Sequence, residues 1–314
     1  MKPAVGFMGS GRVVDGVMPS PSEFTHLART VDALGYDSLW VGDHLSTHNP
    51  VLEALTILTH FGAVTERVQL GTGVLLLALR QPGVLAKQVA TLDWLTSGRV
   101  VMGVGVGGED LSDFAAVGVP VSERGARTSD GILALRALWS APVASYAGKF
   151  SSFEDIRISP QSPQPGGPPI WVGGRSPAAL RRAGRLGDGW YSYMVSPRRF
   201  IEGMNLVRAT AEESGRDASA IVGALLVPTV VGESRETARR HLQQHLQQRY
   251  AKHYDDHIID NYCLAGTSEQ VRERLGEYVA AGVGHVVFMH GGPTAELPDA
   301  AVQIHEEIIN QPWT

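Results

Sequence analysis

A single cysteine, Cys263, stands in 314 residues, which excludes an intrachain disulfide and a thiolate metal cluster and suits a reducing interior. Its neighbours offer no base to activate the thiol, so Cys263 reads as a small packed residue. Positive charge is also short. With 27 Lys and Arg against 32 Asp and Glu, net −5, no global basic surface is left for phosphodiester backbones or anionic lipid, and nucleic acid is not an expected partner. No apolar run approaches the roughly 20 residues that span a bilayer. The opening MKPAVGFMGSGR has an apolar stretch too short and too broken by glycine for a signal-peptide core. A soluble, cytoplasmic protein without membrane association is expected. A GxSxG elbow and a Walker loop are missing as well. His241 and His245 are spaced i, i+4, but Leu242 replaces the glutamate of a zinc motif, and His26, His60, His253 and His257 read as solvated helical positions. No metal is expected.

What is present is alternation. Short apolar runs and longer amphipathic stretches follow one another, as in βα units around a parallel sheet. Ala4–Met8 reads as the first strand. Ser20-Pro21-Ser22-Glu23 is a capping box with proline at the first helical position, and Gly35 is placed to end that helix. Strands are then expected at Ser38–Val41, Val68–Leu70, Arg99–Val104, Pro169–Val172, Gly189–Ser192, Ile221–Val231 and His285–Met289. Helices precede each of them, including Pro50–Val64, Pro82–Leu95, Ser122–Trp139, Ala178–Leu186 and one opened by a second capping box, Thr267 with Gln270. Residues Ala141–Pro168 carry five prolines and read as an inserted excursion with a small hairpin around Tyr146–Lys149. Eight units without a break in composition favour one closed (β/α)8 barrel over residues 1–314, with an insertion near 140–168, rather than two domains. Glu233–Asn261, long and rich in His and Gln, fits this scheme least well; a helix pair bulging from the seventh unit would account for it.

In a parallel barrel, the strand C-termini and the loops after them line one mouth. After the second strand, Gly42-Asp43-His44 brings a carboxylate and an imidazole there, suited to proton transfer near neutral pH, or else to a loop cap and a rim residue. After the third, Gly71-Thr72-Gly73-Val74 implies a bulge, a tight turn, or close approach of backbone to something flat. After the fourth, Gly103-Val104-Gly105-Val106-Gly107-Gly108-Glu109 formally contains GxGxxG, but in the wrong unit and without a helix directly behind it. Room for a cofactor ring explains those glycines equally, and Glu109 then arrives as an acid or as a solvated loop residue. After the fifth, Gly173-Gly174-Arg175-Ser176-Pro177 opens a helix and offers either a phosphate cradle or an ordinary cap. Met289-His290-Gly291-Gly292, after the eighth strand, competes for the phosphate.

These loops, in this order, resemble the luciferase-like monooxygenase superfamily. The resemblance extends to Leu39–His44, Leu70–Val74, Gln88–Asp93 with Ser97–Val100, Gly105–Glu109 and Pro168–Gly174. It implies a (β/α)8 barrel that binds either reduced flavin mononucleotide (FMN) for oxygen chemistry or the deazaflavin coenzyme F420 for hydride transfer. A non-prolyl cis peptide between Gly73 and Val74, with Thr72, would back the ring. Asp43 would contact it, His44 and Glu109 would be the acid–base groups, Gly107 and Gly108 would admit the cofactor closely, and Gly173, Gly174, Arg175 and Ser176 would bind its phosphate. Asp43-His44-Leu45, where oxygen-using members often carry Glu-His-His, is closer to the deazaflavin branch. Ser112 stands where the sugar-phosphate dehydrogenases of that branch have asparagine, which argues against a sugar-phosphate substrate. The resemblance therefore implies an F420-dependent oxidoreductase, a homodimer, acting on a small organic molecule chosen by the rim loops Asp110–Val121 and Ala141–Pro165. The alternatives are an FMN monooxygenase fed by a separate reductase and, more remotely, a barrel that binds its ligand without turnover or an unrelated lyase or isomerase.

Overall fold

The computed structural model describes residues 2–10, 13, 16–108 and 110–313. Eight parallel strands close on themselves: Ala4–Ser10, Ser38–Val41, Gln69–Thr72, Val100–Gly105, Ile170–Gly173, Gly189–Tyr193, Val222–Val231 and His285–His290. Each pairs with the next, and the eighth returns to both the seventh and the first. This is the expected (β/α)8 barrel. Both capping boxes form, at Ser20–Glu23 and Thr267–Gln270, and Gly35 ends the first helix at φ 81°. The excursion is a hairpin of Ala144–Ala147 and Ser152–Ile156. Among the described residues no helix is long and apolar enough to cross a membrane.

Strand alternation sorts the core into two layers. Phe7, Leu39, Leu70, Met102, Ile170 and Val172 face the helices, whereas Met8, Trp40, Val101, Trp171, Tyr191 and Val287 fill the barrel interior. Trp40 is the centre of that interior. Its ring lies 5.2 Å from Trp171 and 4.9 Å from Tyr191. Such a large residue fits only because its neighbours are glycines. A Cβ on Gly71 would stand 2.3 Å from the indole, and one on Gly6 would stand 2.9 Å from its nitrogen. The flat group that Gly71 approaches is therefore a protein side chain.

Two motifs of the resemblance prove to be braces. Arg99 donates to the carbonyls of Gly62, Thr65, Val68 and Thr96. Fully buried Asp93 accepts from Val100 N–H, Ser162 and Gln164, which fastens the excursion to the fourth strand. Cys263 is 2% exposed, and burial pushes its thiol up, as a packed cysteine requires.

At the closed end of the barrel, the Trp40 indole donates to Ser38 Oγ at 2.6 Å, and Ser38 lies 2.7 Å from His285 Nε2. With the serine oxygen accepting from Trp40, its proton is directed to a neutral imidazole. Burial pushes His285 down to about 4. Unfolded, the ring titrates near its ordinary value, so the stability it contributes is present above about pH 6.5 and is lost as pH falls toward 4, because the unfolded chain binds the proton first. Between pH 7.5 and 4.5 this amounts to about 2–3 kcal/mol. Urea unfolding at both pH values should show a smaller loss in His285→Gln than in the unaltered protein; equal losses would remove this origin.

Candidate active site

At the strand C-termini lies a cleft of about 710 Å³ lined by Asp43, His44, Gly73, Val74, Gly107, Gly173, Gly174 and Arg175. The loops after strands two, three, four and five thus meet at one place. The peptide joining Gly73 to Val74 is cis. Val74 inserts between the fourth and fifth strands: a Cβ on Gly105 would lie 2.4 Å from its side chain, and one on Gly173 would lie 2.9 Å from it. Those two glycines make room for the bulge, and the bulge forms part of the cleft wall. Gly107 and Gly174 adopt φ 67° and 111°, a region that favours glycine.

His44 is held by a residue that the sequence did not point to. Asp113, fully buried in the first turn of the short helix Ser112–Val117, accepts from His44 Nδ1 at 2.8 Å through one oxygen. Through the other it accepts from the N–H groups of Leu45 and Ser46, at 2.7 and 2.9 Å. One carboxylate thereby fixes the loop and, by accepting from Nδ1–H, the tautomer of the ring. Nothing local in the sequence links residues 44 and 113.

Asp43 is engaged differently. Its oxygens accept from Arg80 Nη2 at 2.7 Å and Leu76 N–H at 2.9 Å, and Arg80 also donates to Glu53 at 2.8 Å. Burial pushes the Asp43 carboxyl up, opposed by Arg80 and the Leu76 N–H. The carboxyl ties the strand end to the 75–80 segment. Thr72, expected at the ring, is fully buried, and its hydroxyl donates to Gly103 O at 2.7 Å, away from the cleft lining. Gly108, at φ 111°, is also outside that lining and faces Arg124. Glu109 lies outside the described residues.

Past Gly173, the exposed Arg175 donates to Met194 O at 3.0 Å, and Ser176 Oγ accepts from Ala179 N–H as the cap of helix Pro177–Leu186. The cleft reaches this turn and not the rival one: Gly291 packs against Leu242 and Val230. Packing accounts for the first two glycines of GxGxxG, since a Cβ on Gly103 would meet Thr72 O at 2.0 Å and one on Gly105 would meet Val74 at 2.4 Å, and among the described residues the helix that follows begins only at Ser112.

The far wall comes from the stretch that fitted the sequence scheme least well. Helices Arg235–Tyr250 and Asp256–Tyr262 do form a pair, with His253 in the turn between them rather than on a helix. Instead of bulging away, the pair brings Arg249, Tyr250, Lys252 and Tyr254 to the cleft. Tyr193 donates to Tyr250 Oη at 2.9 Å, joining strand six to this wall. The cluster Arg249-Tyr250-Ala251-Lys252-His253-Tyr254, basic and aromatic at a helix end, was the available signal.

A closed parallel barrel with one cleft at its strand C-termini and an oriented histidine beside it defines an enzyme-like site on a (β/α)8 scaffold. The sequence profile of the luciferase-like monooxygenase family matches residues 5–285, and the chain belongs to that family. An F420-dependent glucose-6-phosphate dehydrogenase of Kineococcus radiotolerans is 35% identical over 181 residues, 54% of this chain and 52% of that one. The chain spans about half the length of the curated relatives it matches in this way. Two solved structures share the fold nearly end to end. An F420-dependent secondary alcohol dehydrogenase in complex with an F420–acetone adduct gives a TM-score of 0.83 at 21% identity, covering 98% of this chain and 99% of that one. A monooxygenase from Streptomyces bottropensis gives 0.82 at 22%, covering 98% of each. Since both kinds of chemistry share the shape, the fold alone does not choose a cofactor.

Proposed function

We propose that this protein is an F420-dependent oxidoreductase that moves a hydride between the deazaflavin and a small organic substrate, with His44 as an acid–base group. The observation that carries it is the buried Asp113 holding His44 Nδ1 at 2.8 Å beside a cleft walled by the Gly73–Val74 bulge. The F420-dependent relatives support the choice of cofactor, as does Asp43-His44-Leu45 after the second strand.

The residues present fit such a group. Gly73 and Val74 line the cleft as a bulge that Tyr191 and Met8 back closely, a Cβ on Gly73 standing 2.7 Å from Tyr191 Oη and 3.1 Å from Met8 Cε, and the turn at Gly173–Ser176 with Arg175 suits a phosphate. When bound, a deazaflavin supplies hydride transfer and, having carbon in place of the flavin nitrogen, leaves oxygen alone. His44 gives or takes a proton at Nε2, and the imidazolium so formed is held against the Asp113 carboxylate. Glu109 is the second acid–base candidate on the strength of the family resemblance. Asp43, with both oxygens on protein donors, holds the strand-end corner that presents His44. Arg175, Gly173 and Gly174 bind and orient the phosphorylated tail.

The substrate is a carbonyl, imine or conjugated alkene, and a sugar phosphate is disfavoured. Ser112 Oγ already lies 2.7 Å from Asp110 and 3.0 Å from Ser46 O. The protein acts as a soluble cytoplasmic homodimer. Anaerobic turnover tests the reading: reduced F420 should be oxidised with a panel of small ketones and enones, without oxygen uptake. Oxygen consumption with reduced FMN, and none of the first reaction, would transfer the protein to the monooxygenase reading.

A further inference from the structure

We propose that Tyr191 is a further cofactor-binding residue, its hydroxyl placed to hydrogen-bond a polar atom on the edge of the bound planar ring. This rests on the cleft being the ring's site, as proposed above.

Tyr191 belongs to the sixth strand and points into the barrel, where its ring packs 4.9 Å from Trp40 and 6.4 Å from Trp171. Tightly packed neighbours leave it little rotamer freedom. The residue is 2% exposed and its hydroxyl has no hydrogen-bond partner among the described residues, yet Tyr191 lines the cleft. A buried hydroxyl without a partner is destabilising, and phenylalanine would keep the same ring contacts without that penalty. The hydroxyl makes physical sense if its partner arrives with a ligand. Only glycine at position 73 lets the hydroxyl stand this close to the bulge that walls the cleft: a Cβ there would lie 2.7 Å from Oη and 3.1 Å from the Met8 methyl, which neither donates nor accepts. Burial pushes the phenol well above its ordinary value, so it keeps its proton and donates as a neutral group. Flavin and deazaflavin rings both carry carbonyl oxygens flanking an N–H along one edge, which offers a phenol both acceptor and donor. His245, also buried, lies outside the cleft lining and therefore points to no ligand.

Tyr191→Phe separates this from a packing role. Without cofactor, the variant should melt about 1–3 °C higher than the unaltered protein, because an unpaired buried hydroxyl has gone. Its Kd for F420, followed by the coenzyme's fluorescence, should be weaker by about fivefold to tenfold, the loss of one hydrogen bond. FMN is titrated in parallel. Unchanged affinity for whichever ring the unaltered protein binds would overturn the proposal and leave the cofactor reading standing. Binding of neither ring by the unaltered protein would remove both. If the variant folds poorly, a crystal of the unaltered protein with its cofactor decides: a ring oxygen or nitrogen within about 3.5 Å of Tyr191 Oη supports the bond, and a ring that offers the hydroxyl only carbon overturns it.

Discussion

Replacing His44 with alanine is expected to lower kcat with F420 by about 10²–10³-fold, while the Kd for the coenzyme changes by less than about threefold. The expectation follows from where His44 sits. It lines the cleft with Nδ1 held by Asp113, and in the proposed mechanism it exchanges a proton at Nε2 while contributing little area to holding a ring. Asp113→Asn gives a sharper form of the same test. An asparagine keeps an oxygen for the N–H groups of Leu45 and Ser46, so the loop persists, but its amide can donate to Nδ1 and so favour the opposite tautomer. Its kcat should fall by about 10–100-fold with KM nearly constant. A purely structural Asp113 would lower stability and leave kcat nearly unchanged. Full activity in His44→Ala would take the histidine out of the chemistry.

The largest loss of stability is expected at Gly103. An alanine Cβ there would lie 2.0 Å from Thr72 O, a backbone atom of the neighbouring strand, and 3.4 Å from Trp40. A rotamer change cannot relieve this, because the obstacle is main chain. The third strand would have to move, carrying with it the Thr72 hydroxyl bond to Gly103 O and the bulge that follows. Gly103→Ala should therefore destabilise by about 3 kcal/mol or more. Gly83 is the counterpart, on helix Pro82–Leu95 with nothing within 4 Å of its added Cβ. Gly83→Ala should be stabilising by about 0.5–1 kcal/mol. Urea unfolding of both measures the contrast; similar values for the two would mean the sheet yields more readily than its packing indicates.

The barrel was legible in the sequence because each strand is a short apolar run bounded by Gly, Pro or a helix cap. Ser38–Val41 and helix Pro82–Leu95 fall at the expected residues. Short elements without periodicity escaped, among them Leu75–Leu76 and Ser112–Val117. The strand-end loops were legible as candidates, but the duties of their glycines were not. Gly71 clears Trp40, Gly103 clears a carbonyl, and Gly105 and Gly173 clear Val74; a glycine that accommodates a side chain and one that accommodates a ligand look identical in sequence. Thr72, which the resemblance put at the ring, donates instead to Gly103 O, a bond that depends on strand pairing. Asp113 and the tyrosine wall depend on contacts between residues far apart in the chain, which no local pattern encodes. Arg249 and Tyr250 stood in plain view within Glu233–Asn261, but only the fold brings that segment to the mouth.

The most direct measurement is equilibrium binding of F420 and of its phosphate-free deazaflavin counterpart, to the unaltered protein and to Arg175→Gln. With the ring in the cleft and its phosphate on the Gly173–Ser176 turn, removing the phosphate should weaken binding to the unaltered protein at least about tenfold, and much less in Arg175→Gln. An equal loss in both proteins would put the phosphate elsewhere, and no affinity for either deazaflavin would contradict the account at its root.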